Sequence, residues 1–322
     1  MASKQYPIQS GFGAQTAAAD VLAGLDLRGK VAIVTGGYAG LGLETTHALA
    51  QAGATVVVPA RSAAKASAAL QGMRNVELAA LDLLDRASID AFARSFLDSG
   101  RPLHMLVNNA GIMATPLARD AHGYESQFSA NHLGHFRLTA LLLPALLAAD
   151  GARVVSVSSR GHHFSGVNFD DPHFLKRDYD KWLAYGQSKT ANILFALGLD
   201  ERGARHGIRA FSLHPGRILD TDLKRHLSDD DLRKAGAMNE QGELVYTGCK
   251  TPAQGAATSV GCAASPQLQG MGGVYCEDVD IAHLISADEQ SNSGLRPWAA
   301  DPALADRLWT LSEELAGIEF RL

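Results

Sequence analysis

Two periodicities alternate along this chain. Short apolar, β-branched runs ending at glycine, asparagine or serine recur between longer stretches with apolar residues every three or four positions. The runs are "KVAIVTGG", "TVVVPA", "VELAALDL", "LHMLVNNAG", "RVVSVSS", "IRAFSLHPG" and "GGVYCED", and each reads as a strand. Between them, "LGLETTHALAQAG", "SAAKASAALQGM", "ASIDAFARSFLDSG" and "TPAQGAATSVGCAAS" read as helices. The spacing predicts two longer helices over residues 123–149 and 183–203. Strand and helix in this alternation predict an α/β fold with a parallel sheet covered on both faces. Such sheets bind ligands beyond the C-terminal ends of their strands, where the strand order reverses.

Residues 1–28 stand apart as a Gly-, Ala- and Gln-rich lead-in, with a short helix expected near residues 17–24. Residues 29–322 read as a single domain, with no internal repeat and no break in composition. Two segments are long for such a fold. Residues 160–182 are rich in His, Phe, Tyr and Trp, as the wall of a wide apolar pocket would be. Residues 217–250 are charged, contain "SDDDLRK" and read as a helix-bearing flap over a ligand, or as a solvated amphipathic helix. Together they suggest a bulky, partly aromatic or alicyclic substrate.

Composition narrows the class. The 322 residues are 46% hydrophobic and 20% charged, the balance of a folded chain. A net charge of -5 without a basic cluster argues against nucleic acid as a partner. Cys249, Cys262 and Cys276 have no metal spacing and make no even framework, so they read as free thiols in a reducing compartment. His162, His163 and His173 lack the carboxylate spacing of a metal site, and no metal is expected. The opening "MASKQYPIQSGFG" has no apolar signal core. The longest apolar run, residues 138–149, contains Pro144 and is too short to cross a bilayer. The expectation is a soluble, cytoplasmic protein with no membrane anchor.

The candidate chemistry sits at the strand ends. In "TGGYAGLG", Gly36, Gly40 and Gly42 allow a tight turn, close approach of a pyrophosphate and seating of the next helix, whose N-terminus attracts the phosphates. Tyr38 and Leu41 belong to the same loop. After the second strand, Ala60 stands where an acid would hold the adenosine ribose, and Arg61 follows. A guanidinium there suits a 2'-phosphate, which favours NADP(H) over NAD(H). "LDL" places Asp82 near an adenine amino group, with Leu83 beside it; the other reading of Asp82 is a cap for the helix near Ser88. In "NNAG", Asn109, Ala110 and Gly111 let the backbone lie against a cofactor, or simply make a turn.

"AYGQSKTAN" sets Tyr185 and Lys189 on one helix face. A free phenol titrates near about 10, too high for proton transfer at neutral pH. A neighbouring ammonium and an oxidised nicotinamide would both lower it. Tyr185 would then exchange a proton with a substrate oxygen while hydride moves between nicotinamide and carbon, and Lys189 would also hold the ribose. A second donor is needed for that oxygen, and "SVSS" offers Ser158 and Ser159. Asn131 lies mid-helix, where asparagine has poor propensity, and suits a role in bonding backbone and an ordered water.

These residues resemble the short-chain dehydrogenase/reductase family: "TGGYAGLG", "NNAG", Asn131, the serine strand, "YGQSK" and "HPG" follow one another in its order from Thr35 to Gly216. The resemblance implies a Rossmann-type, doubly wound parallel sheet of about seven strands. It implies a catalytic set of Asn131, Ser159, Tyr185 and Lys189, with Ser158 left open, and cofactor contacts from Pro215 and Gly216. The 25 residues between Ser159 and Tyr185, "LHPG", and the tail "TPAQGAATSV…GGVYCEDVDIA" look like the retinol-dehydrogenase-like and WW-domain-oxidoreductase-like branch, which commonly uses NADP. The family often has a threonine four residues after the glycine of "HPG". Position 220 here is aspartate, and Thr221 is the candidate in its place. The resemblance also implies a homodimer or homotetramer paired through the two long helices, with His132 and His135 as packing or interface residues. The reading is an oxidoreductase interconverting an alcohol and a ketone or aldehyde. The alternatives are a nucleotide-binding sensor without turnover and a reductase of C=C bonds.

Overall fold

A computed structural model of the chain describes residues 4–322. Its strands are β1 (Val31–Val34), β2 (Thr55–Ala60), β3 (Val76–Ala80), β4 (Met105–Asn108), β5 (Arg153–Val157), β6 (Arg209–His214), β7 (Val274–Glu277) and β8 (Asp280–Ile281). They form one sheet in the order β3-β2-β1-β4-β5-β6-β7-β8. The first seven run parallel, and β8 turns back antiparallel on β7, one short strand beyond the seven expected. The order reverses between β1 and β4, where Val34 faces Val107.

Each central strand alternates between two cores, which is why its sequence is apolar throughout. Ala32 and Val34 face the layer made by helices Gly40–Gln51 and Pro252–Ala264. Val31 and Ile33 face the layer of Arg86–Asp98, Gly134–Leu141, Lys181–Gly203 and Pro302–Ala316. The lead-in helix is a single turn, Ala18–Val21, and the segment before it is strapped to the far edge: Ile8 N–H and Ser10 N–H donate to the Asp280 carboxylate at 2.8 and 3.0 Å.

The helix expected over residues 123–149 is instead broken into pieces. After Ser126–Phe128 comes a π-helical turn, Ser129–Leu133, in which Gly134 N–H reaches back five residues to Ser129 O. Regular helix resumes over Gly134–Leu141, and Pro144 opens another short piece, Leu143–Leu147. The helix carrying Tyr185 starts at Lys181 because the Asp180 carboxylate caps Trp182 N–H and Leu183 N–H.

The helix Pro302–Ala316 was not read from the sequence. It buries Ala305, Leu308, Trp309, Ser312 and Ala316 against both long helices. Residues 184–196 of the Lys181–Gly203 helix are all buried within the chain, as are residues 126–136. His132 Nε2 bonds Ser312 Oγ at 2.7 Å, and His135 is 2% exposed, so neither histidine lies on an outer face. The chain's own last helix packs against both of these segments.

Candidate active site

The glycine loop follows β1 at the switch point. Gly36 (φ +64) and Gly40 (φ +50) hold left-handed backbone that a side chain would strain. A Cβ on Gly42 would strike the Gly36 carbonyl and stand 2.6 Å from Asn109 Nδ2. The helix Gly40–Gln51 has Ala39 at its N-cap and no side-chain cap, so its first N–H groups face outward for an anion. Tyr38 packs on the core beneath. Leu41 lies under Gly255, where a Cβ would come within 2.5 Å of Leu41 Cδ2.

Thr35 joins this loop to the next strand end. Its Oγ1 accepts from Asn109 N–H at 2.9 Å and Ala110 N–H at 3.0 Å, while Asn109 Nδ2 donates to Thr35 O at 2.8 Å. Gly111 then passes so close to the long helices that a Cβ would lie 3.1 Å from Asn131 Oδ1 and 3.5 Å from Lys189 Nζ. Asp82 accepts from Leu84 N–H through Oδ1 at 3.0 Å and caps no helix. The cap of Arg86–Asp98 is Asp85, which accepts from Ala87 N–H. Leu83 packs its backbone against Gly134.

The four residues expected to act together converge beyond β4 and β5. Ser158 is 2% exposed and its Oγ donates to Lys189 O at 2.7 Å, so that hydroxyl is committed to the interior. Ser159 Oγ accepts from Gly161 N–H at 3.0 Å and lies 3.4 Å from where a Gly161 Cβ would be, on the side of the Tyr185 ring. A Cβ on Gly161 would fall 2.6 Å from Tyr185 Cε1, so this glycine is what lets the ring lie there. Lys189 Nζ donates to Val157 O at 3.0 Å, a carbonyl that Asn192 Nδ2 also reaches at 3.1 Å.

Asn131 sits inside the π-helical turn, a local widening that recurs at functional sites. Its side chain clamps one peptide: Oδ1 accepts from Ile112 N–H at 2.9 Å and Nδ2 donates to Ile112 O at 3.0 Å. Nδ2 also donates to Ser188 Oγ at 2.9 Å, and that hydroxyl donates to Tyr185 O. The amide is thus bound to backbone, and the link to the Tyr185 helix runs through Ser188.

Burial governs the electrostatics. It pushes the Tyr185 phenol up to about 12, against the opposing influence of the Ser159 hydroxyl. It pushes Lys189 down to about 8. Desolvation penalises the charged form of each group, and Nζ stands 5.6 Å from the ring centroid.

Beyond β6, Pro215 is buried and Gly216 adopts φ +97, where a Cβ would meet Lys250 Cδ at 2.6 Å. The segment that follows returns over the glycine loop, and Thr221 Cγ2 lies 3.2 Å from where a Gly40 Cβ would be. Arg61 is exposed at the end of β2 and makes no ion pair among the described residues.

A family model described as short chain dehydrogenase matches residues 30–232, the stretch that holds all of these groups. The chain belongs to the short-chain dehydrogenase/reductase family. It is 47% identical over 294 residues to a probable oxidoreductase of Streptomyces lividans, covering 88% of this chain and 97% of that one. It is 38% identical over 302 residues to retinol dehydrogenase 11 of Mus musculus, covering 91% and 88%. The likeness places this reductase with the retinol-dehydrogenase-like branch. A crystal structure of an uncharacterised protein from Mycobacterium paratuberculosis superposes with a TM-score of 0.70 at 33% identity, over 96% of this chain and all of that one. Members of the family are NAD(P)(H)-dependent oxidoreductases of alcohol and carbonyl groups, and the uncapped helix start and side-chain-free glycine loop of this reductase fit a dinucleotide.

The aromatic segment of the reductase is used differently from what its composition suggested. His173 stacks on Tyr124 at 4.5 Å, Tyr179 bonds Glu125 and Thr115, and Phe174 is 4% exposed. These rings hold the segment to the scaffold rather than wall a pocket. Phe164, 47% exposed and edge-on to Trp182 at 5.9 Å, stays on the open side beside Gly186. His162 and His163 bond Ser159 O and Gly294 O. No described helix is long and apolar enough to cross a membrane.

Proposed function

We propose that the chain interconverts a bulky, apolar alcohol and its ketone or aldehyde, prefers NADP(H), and uses Tyr185 as the proton donor and acceptor. One observation carries this reading. A buried phenol, Tyr185, and a hydroxyl, Ser159, flank Gly161 at the strand ends, with Tyr185 Cε1 2.6 Å and Ser159 Oγ 3.4 Å from where its Cβ would be, beside a loop shaped for a dinucleotide. Two such groups can share one substrate oxygen. The cofactor, when bound, supplies or takes the hydride. Ser159 holds the oxygen and Tyr185 moves the proton. Lys189 steadies the phenolate side of that exchange and holds the ribose, and Asn131 fixes the Ile112 peptide and the Tyr185 helix.

The remaining contacts follow from placement. Gly36, Gly40, Gly42, Leu41 and Tyr38 form the pyrophosphate loop. Asp82 keeps Oδ2 for an adenine amino group, and Leu83, Asn109, Ala110 and Gly111 line the opposite side. Pro215, Gly216 and Thr221 close over the nicotinamide end. Arg61 supports the preference for NADP(H), since Ala60 leaves no carboxylate to repel a 2'-phosphate. Phe164, with Leu183 39% exposed two residues before Tyr185, supports an apolar substrate. We read residues 29–322 as one domain, preceded by the 1–28 lead-in, of which Ile8, Ser10 and Ala18–Val21 pack on it, and acting in the cytoplasm. The expected assembly is a homodimer or homotetramer.

Steady-state kinetics with NADPH and NADH test the cofactor reading. Arg61→Ala is expected to raise KM for NADPH about tenfold or more with little change for NADH. An unchanged ratio of the two would show that Arg61 does not read the phosphate.

A further inference from the structure

We propose that His135 is a positioning residue that ties the π-helical turn of Asn131 to the dinucleotide loop through Thr35, so that cofactor and proton-transfer groups are held in one register. The inference deepens the reading above and rests on it. His135 is 2% exposed. Its Nδ1 lies 3.0 Å from Asn131 O and its Nε2 lies 2.9 Å from Thr35 Oγ1. Thr35 in turn holds Asn109 N–H and Ala110 N–H, the backbone against which the cofactor would lie. One ring therefore connects the turn that clamps Ile112 and Ser188 with the loop that follows β4.

Counting protons fixes the state of that ring. A carbonyl only accepts, so Nδ1 must carry the proton that it gives to Asn131 O. In the neutral ring Nε2 is then an acceptor, and the Thr35 hydroxyl donates to it. That leaves two lone pairs on Oγ1 for the N–H groups of Asn109 and Ala110, and every partner is satisfied. A cationic ring would add a third donor to the same two lone pairs and force the Thr35 proton toward Val107 O at 3.3 Å. Burial acts in the same direction, pushing His135 down to about 4, and the nearby Lys189 adds to it. His132, by contrast, points away to Ser312 and takes no part. No step of the chemistry requires His135 to exchange a proton. Its role is to hold.

The test reads binding as well as turnover. NADPH affinity would be measured by fluorescence for wild type, His135→Ala, His135→Gln, Thr35→Val, Thr35→Ser and the His135→Ala/Thr35→Val double variant. The same titrations would be run in a Tyr185→Phe background, where turnover plays no part. Melting temperatures would confirm that each variant is folded at the assay temperature. His135→Ala and Thr35→Val are each expected to weaken NADPH binding and lower kcat about tenfold, with the double variant no worse than either. Thr35→Ser, which keeps the hydroxyl, is expected to behave as wild type. Nitrogen-15 spectra of the ring are expected to show a neutral Nδ1–H tautomer from about pH 5 to 8. Unchanged NADPH affinity in folded His135→Ala, effects that multiply in the double variant, or an Nε2–H tautomer would each overturn the proposal while leaving Tyr185 untouched. Wild type that binds neither NADPH nor NADH would overturn both readings together.

Discussion

Lys189 is a buried ammonium whose hydrogen bond is made to a carbonyl, and that cost is visible in its titration. It falls from an ordinary 10.5 to about 8, a difference of about 3 kcal/mol between the charged and neutral forms. Below about pH 8 the folded and unfolded chains both carry the proton. Between about 8 and 10.5 only the unfolded lysine keeps it, so stability rises with pH across that window. Lys189→Met is therefore expected to abolish turnover while raising the melting temperature at pH 7, with the gain shrinking toward pH 10.5. Val157 O keeps its bond from Asn192, so no carbonyl is orphaned. Calorimetry across pH checks this. At this scale the sequence was readable where identity carries the chemistry. Tyr185, Lys189, Ser159 and the glycines announce themselves by type and order. Thr35, Ser188 and His135 do not, because their work is done through backbone partners brought from distant segments. The burial that raises Tyr185 was illegible for the same reason, since it is a property of the packed molecule.

Among the elements, the π-helical turn and the flap matter most. Poor helix propensity at Asn131 marked an anomaly, yet nothing in "SANHLGHF" specifies an i to i+5 bond. The turn sets the Asn131 side chain against the Ile112 peptide, a partner from a distant segment. The flap helix Asp229–Lys234 is tied to the start of the Tyr185 helix by Lys181 Nζ and Asp231 Oδ2 at 2.6 Å. Ser228 caps that helix through the same aspartate. Lys181→Ala is expected to loosen the flap. Limited proteolysis within residues 222–250 should quicken, and substrate KM should rise about three- to tenfold with kcat little changed. High salt should shift wild type in the same direction.

The whole molecule is a sheet with two covered faces, and its alternating pattern made that legible from the strands alone. The last helix was missed although its signals were present: Asp301 at the N-cap, Pro302 at the first position and Gly317 at φ +63 beyond the end. The motifs that carry the family resemblance in the sequence end with "GGVYCEDVDIA", and the helix lies beyond them. It seals the second core through Trp309, which is 5% exposed and meets Phe136, Phe195 and Phe320. Trp309→Ala is expected to cost about 3–5 kcal/mol in urea unfolding. The central claim remains a proton passed by Tyr185 in step with hydride transfer. The measurement that meets it most directly is NADPH oxidation by wild type and Tyr185→Phe against aryl, alicyclic and long-chain ketones and aldehydes, with cofactor affinity measured in parallel. The account predicts turnover of bulky carbonyls by wild type, a fall of about a hundredfold or more in Tyr185→Phe, and NADPH affinity preserved in both. Turnover that survives the loss of the phenolic oxygen would contradict it.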